Sequence, residues 1–180
     1  GGSWHTCAVD SNGVSRPYDV DPSDKTSAIY TLIAFRDYFL FFPHNHGLKL
    51  TVQRIGAKPT DAPIYRSSHS IRYLKGVKKV YSDNTNRNVQ LEGDMLYFID
   101  TNCHVVQYDL KELLSLDEKS RSTYQPTVHS KDKFEDFCVF ERRISTLTKD
   151  GLLTDSDGRS KDLKTLANGS LGQYFLTLET

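Results

Sequence analysis

Apolar and polar positions alternate with a period of two along much of the chain, and clusters of turn-forming residues interrupt the alternation. Tyr38-Phe39-Leu40-Phe41-Phe42 is followed by Pro43-His44-Asn45-His46-Gly47 and then by the alternating stretch from Leu48 to Ile55. This order predicts strand, turn, strand. Met95-Leu96-Tyr97-Phe98-Ile99, Asp100-Thr101-Asn102-Cys103 and His104-Val105-Val106-Gln107-Tyr108 repeat the scheme, with Asp and Asn in a turn where positive φ is tolerated. Phe137-Cys138-Val139-Phe140 and Arg143-Ile144-Ser145-Thr146-Leu147 predict a further pair, which runs through Lys149-Asp150-Gly151 into Leu152-Leu153. Asp-Gly is a strong hairpin signal. A fourth turn, Asn168-Gly169, lies between the apolar positions of 163–166 and 171–178.

Helical periodicity is the minority pattern. Asp109-Leu110-Lys111-Glu112 has the spacing of a capping box, and Leu110, Leu113 and Leu114 share one face, so a helix is predicted over 110–118. Asp24 could cap another helix, but Ile29, Tyr30, Thr31, Ile33 and the aromatic run favour extended backbone, and 27–42 is predicted as two strands. Residues 11–24, 57–63, 82–88 and 119–132 are rich in Pro, Ser, Asn, Asp or charge and predict loops. The expected fold is therefore mainly β (α+β): antiparallel hairpin-built sheets, two packed sheets or boxes, with one or two short helices. The expected division is a first β-rich unit over 4–118, a flexible linker over 119–132, and a second hairpin unit over 133–180 packing on the first. Gly1-Gly2-Ser3 reads as a cloning remnant, with native sequence expected upstream.

Composition narrows the classes. A chain of 180 residues can bury a core without staples. Cys7, Cys103 and Cys138 are three in number, far apart and without a C-x-x-C pair, which points to a reducing, intracellular compartment (cytoplasm or nucleus) rather than a disulfide framework or zinc knuckle. No apolar run approaches the ~18 residues of a membrane span. The 23 basic and 23 acidic residues balance, yet they are segregated. Lys49, Arg54, Lys58, Arg66, Arg72, Lys75, Lys78 and Lys79 face a single acid, Asp61, over 49–79. Such a stretch attracts phosphate or an acidic peptide, or is a solvated strand face.

Catalytic frames such as G-x-S-x-G, H-E-x-x-H, G-x-G-x-x-G and the Walker lysine loop are absent from the sequence, and no cofactor is implied. His44 and His46 share a face if extended and would need a third ligand to hold a metal, so a turn role is the commoner one and no metal is expected. His5 and Cys7 bring an imidazole near a thiol without an orienting third group. Asp155-Ser156-Asp157-Gly158 looks like part of a calcium loop, but the twelfth ligand position would be Lys164, so that reading fails. Asn168-Gly169-Ser170 matches a glycosylation acceptor, although a tight turn explains it better. Tyr65, Tyr73 and Tyr81 interleave with the cations as in single-strand nucleic-acid binders, but the near-neutral pI favours a peptide partner.

Two family resemblances emerge. Trp4, Val9-Asp10-Ser11-Asn12-Gly13, Tyr18-Asp19-Val20, Asp24-Lys25-Thr26-Ser27, the hairpin from Tyr38 to Ile55 and Leu166-Ala167-Asn168-Gly169-Ser170-Leu171 resemble a divergent polo box over about a third of the chain. The resemblance implies six-stranded antiparallel sheets, each with a packed helix, that clamp a peptide. Trp4 would be the peptide-contacting Trp and His129-Ser130-Lys131 the phosphate-holding His-x-Lys pair. Gly93-Asp94-Met95-Leu96-Tyr97-Phe98-Ile99-Asp100 followed by His104-Val105-Val106-Gln107-Tyr108-Asp109-Leu110 resembles the middle strands of a β-propeller blade, with turns near Gly47, Asn102 and Asp150 at about blade spacing. The expectation is a non-enzymatic interaction module that docks a peptide or scaffold protein through Arg66, Arg72, Lys75, Lys78, Lys79, Trp4, His129 and Lys131, with a partial propeller scaffold or single-strand nucleic-acid binding as alternatives.

Overall fold

A computed structural model describes residues 7–9, 15–17, 29–57, 61–72, 89–129 and 132–162. They form antiparallel sheets and two short helices, the mainly β architecture that the alternation predicts. The chain divides into two compact units, Gly1–Ser70 and Ile71–Thr180.

In the first unit β1 (Cys7–Val9) pairs with β2 (Ser15–Pro17), and a separate sheet has the order β3 (Ile29–Phe35), β4 (Tyr38–Pro43), β5 (Lys49–Arg54), β6 (Tyr65–Ser70). β3 and β4 are the two strands expected within 27–42. Between β4 and β5 a 3-10 turn, His44–His46, ends on Gly47 at φ 65, where the missing Cβ removes the left-handed penalty. β4 is apolar at nearly every position because both of its faces are buried: Leu40 and Phe42 on one side, Phe39 and Phe41 on the other. The polar groups taken inside are satisfied. The register of β5 on β6 slips between Lys49 and Thr51, and there the Ser67 hydroxyl accepts from Leu50 N (3.0 Å) where the regular ladder is interrupted. Buried Gln53 donates to Asp61 O (3.2 Å).

In the second unit Ile71 bridges Asp100 at the margin of a sheet ordered β7 (Val89–Glu92), β8 (Met95–Ile99), β9 (Val105–Asp109), β10 (Thr127–His129). The last sheet runs β11 (Phe134–Phe140), β12 (Arg143–Thr148), β13 (Leu152–Thr154), β14 (Ser160–Asp162). Tyr97, Ile99 and Val105 pack against Phe134, Phe137 and Val139, so the two sheets share a core. On the opposite face Tyr108 stacks between Phe98 and Tyr124, at ring separations of 5.8 and 6.0 Å. The β11–β12 turn, Glu141-Arg142, holds both residues in the left-handed region (φ 49 and 63) without a glycine, and Arg142 N donates to Glu92 Oε2 (2.8 Å).

The predicted cap is present: the Asp109 carboxylate accepts from Glu112 N (2.9 Å) and starts α1 (Leu110–Ser115). The expected single helix over 110–118 is shorter, because Leu116 is extended and Asp117 caps a second start, α2 (Glu118–Ser122). The segment 119–132, expected as a flexible linker, contains the rest of α2 and all of β10 among its described residues, and β10 pairs with β9. The contact boundary falls instead at Ser70/Ile71, and β11 belongs to the core of the β8–β9 sheet.

Gln90 joins the two sheets of the second unit. Its amide donates to Val139 O and accepts from Val139 N (2.9 Å), so one side chain imitates a neighbouring strand. Gln90→Ala is expected to lower the unfolding free energy by about 2 kcal/mol, since two part-buried backbone groups lose their partner. Gln90→Glu should lose at least as much by facing a carboxylate to the Val139 carbonyl. Urea titration reads both, and unchanged midpoints would refute the bridge.

Candidate functional site

Strand pleating separates the basic stretch. Arg54 is the register partner of Tyr38, whereas Arg66 sits opposite Thr51, and positions 51 and 54 of one strand point to opposite faces. Arg66 is exposed at its surface, and partial burial pulls its pKa below the ordinary arginine value. Lys58, Lys75, Lys78, Lys79, Tyr73, Tyr81, Trp4, His5 and Lys131 lie outside the described residues.

Arg72 is directed into the fold rather than toward a partner. Its backbone N–H donates to Ile99 O (2.9 Å), Nη1 to Phe134 O (3.0 Å) and Nη2 to Glu135 O (2.6 Å). Nη1 also lies 3.7 Å from Cys103 Sγ and 3.8 Å from Glu135 Oε2, and the side chain is only 13% exposed. The expected docking contact is thus a staple between β11 and the β8–β9 region. A planar guanidinium can supply several carbonyls at once, so its charge is compatible with this position.

His129 lies on β10, half-buried, with Nε2 donating to Gln107 Oε1 (2.9 Å). Burial lowers its pKa. A folded-state pKa below the unfolded one means that the unfolded chain binds more protons between the two values. Stability is therefore expected to fall as pH drops from 7 through the unfolded histidine value of about 6.5 toward the lower folded one. His129→Gln should reduce the slope of urea midpoint against pH in that window; an identical slope would refute the assignment.

His44 and His46 occupy the exposed 3-10 turn, and no group of three or more His, Cys, Asp or Glu side chains placed to hold a metal occurs among the described residues. Asp155, from the calcium-like stretch, caps its own turn: Oδ1 accepts from Asp157 N (2.9 Å) and Arg159 N (2.8 Å), closing β13 onto β14. No helix of the described residues is long and apolar enough to cross a membrane.

One end of the β3–β5 sheet gathers cations and rings. Phe35 and Tyr38 are directly opposed across the two-residue turn Arg36-Asp37, and Tyr38 opposes Arg54 on the next strand. The Arg36 guanidinium carbon lies 5.1 Å from the Phe35 ring centre, and that of Arg54 5.2 Å from the Tyr38 ring centre. Both distances are within cation–π range. Ile55 N donates to Asp37 O (2.8 Å), which brings the 46% exposed Ile55 to the same end. Arg54 belongs to the basic stretch 49–79, whereas Arg36 lies outside it. The signal available was Phe35-Arg36-Asp37-Tyr38 itself, two aromatics bracketing a two-residue turn, whose cross-strand consequence depends on register.

No protein-family model matches the chain, and neither does any curated protein sequence.

Proposed function

We propose that this chain is a non-enzymatic interaction module, each of whose four-stranded sheets is built like a propeller blade, and which docks a peptide or scaffold partner inside the cell. The observation that carries this reading is strand order. Each of the three four-stranded sheets is a meander of consecutive strands, β3 to β6, β7 to β10 and β11 to β14. Radial blades are built this way, with every turn delivered to one of two rims. Two details support it. Strands β4 and β8 are buried on both faces, as blades with covered faces require. The first strands of the two sheets in the second unit, β7 and β11, are clipped together by Gln90.

The polo-box resemblance, which implies six-stranded sheets, supports the same docking role. Single-strand nucleic-acid binding draws less support, because Arg54 and Arg66 lie on opposite faces and Arg72 is committed inside. Selection of a random peptide library on the purified protein tests the docking role. A recurring sequence motif whose synthetic peptide binds and competes is expected, and failure to enrich any motif would sink the proposal.

A further inference from the structure

We propose that the open edge of β3 takes up an extended peptide as an added antiparallel strand, with a large apolar side chain opposite Ala34; the inference rests on the docking reading above. Among the described residues β3 pairs with β4 alone and ends the sheet on that side. Phe35 and Tyr38 flank the two-residue turn Arg36-Asp37, so they exchange both ladder hydrogen bonds, and such pairs recur at every second residue of an antiparallel hairpin. Ile33 and Leu40 form the next one. The backbone N–H and C=O of Leu32 and Ala34 therefore point away from β4. Both residues are exposed, Leu32 at 37%. Their outward donors and acceptors stand where the backbone of another strand would meet them.

β3 lacks the devices that keep sheet edges from pairing. Over seven residues it has no charge, proline or glycine. β10 and β14 are three residues long, and β14 carries Lys161 and Asp162. β6 carries Arg66, β7 Glu92, and β11 Glu135 and Asp136, and Gln90 occupies the Val139 backbone on β11. The usable length points to the occupant. A register shift between Ile29 and Leu32 leaves 32–35 as the regular run before the turn, roughly 14 Å at about 3.4 Å per residue. A stable dimer buries roughly 800 Å² per partner, more than so short an edge offers a second copy, whereas a peptide needs only main-chain bonds and a few side-chain contacts. Ala34 supplies the selective contact. Its cross-strand partner Phe39 is 8% exposed, and the small Ala34 methyl leaves room for a large apolar side chain to lean across toward that ring. Leu32, opposite Phe41 on the same face, meets a second apolar residue two positions away.

Fluorescence polarisation tests the edge with a labelled octapeptide that alternates threonine with valine, has leucine at its centre and ends in lysines. In an antiparallel pair the residues opposite Leu32 and Ala34 return both bonds. N-methylation of the central leucine is therefore expected to weaken binding about tenfold, and N-methylation of the adjacent threonine, whose amide faces away, to leave it within about twofold. Ala34→Pro removes a donor that β4 does not use and should also cost about tenfold. Ala34→Leu should shift the preference from the leucine-centred peptide to an alanine-centred twin, a gain that misfolding cannot mimic. Circular dichroism confirms that each variant is folded. A motif from library selection whose peptide is lost on Ala34→Pro carries the same support. Equal binding of the two methylated peptides, or an unchanged preference in Ala34→Leu, overturns the proposal. So does a concentration-dependent dimer that Leu32→Lys disperses and peptide leaves intact, which assigns the edge to a second copy. A selected motif whose peptide ignores Ala34→Pro overturns the edge site and leaves the docking reading standing. Binding of neither the octapeptide nor any selected motif removes both.

Discussion

Arg72→Met is expected to destabilise the second unit by about 3 kcal/mol while preserving the aliphatic stem. The guanidinium donates to the carbonyls of Phe134 and Glu135, and hydrogen bonds from a charged donor contribute roughly 1.5–3 kcal/mol each. The ion pair with Glu135 adds little, because that carboxylate is 49% exposed at 3.8 Å and solvent screens it. Arg72→Lys should recover only part of the loss, since one ammonium cannot reproduce the fork across two successive carbonyls. Arg72→Glu should be the worst of the three, setting an anion against those oxygens. Urea titration with an unchanged m-value reads the effect as stability rather than altered compactness. Were Arg72 a surface docking contact, Arg72→Met would leave the midpoint in place and reduce partner capture alone.

Arg72 also shows which information a linear sequence withholds. Within 49–79 every cation carries the same symbol, and the run suggests one patch. The pleat puts Arg54 and Arg66 on opposite faces, and the Ile71–Asp100 bridge draws Arg72 against β11, a strand more than sixty residues further along. Neither outcome follows from local composition. Hairpins were legible because their determinants are local. Gly47 supplies positive φ after β4, Gly151 does so after Lys149-Asp150, and Asp109 caps α1 at the spacing expected of it. The Asp100–Cys103 turn lies where its Asp and Asn predict it, although the left-handed residue is Cys103. Two turns lacked such a signal. Arg36-Asp37 and Glu141-Arg142 contain no glycine, and their left-handed residues are held by the strands on either side. The Asn168-Gly169 turn lies outside the described residues, as do Trp4, Lys75, Lys78, Lys79 and Lys131 of the expected site.

In the polar stretch 119–132 a single aromatic outweighs the composition, for a related reason. Tyr124 stacks on Tyr108, and its hydroxyl accepts from Asp109 N (3.2 Å), tying the end of the helical excursion back to its start. Tyr108 is fully buried at the centre of the three-ring stack with Phe98. Tyr108→Ala is therefore expected to cost about 4 kcal/mol, combining a cavity in the core with the loss of two ring contacts. Tyr124→Ala removes one ring contact and the acceptor for Asp109 N from a half-buried position, and about 2 kcal/mol is expected. Because the two rings touch, the double variant should lose less than the sum, by about 1 kcal/mol. Hydrogen exchange separates this arrangement from a flexible tether. Tyr124→Ala should expose the β10 amides that pair with β9 well before those of β8, since β10 is held from its N-terminal side by this anchor. A flexible linker would leave Tyr124→Ala silent and the double variant identical to Tyr108→Ala.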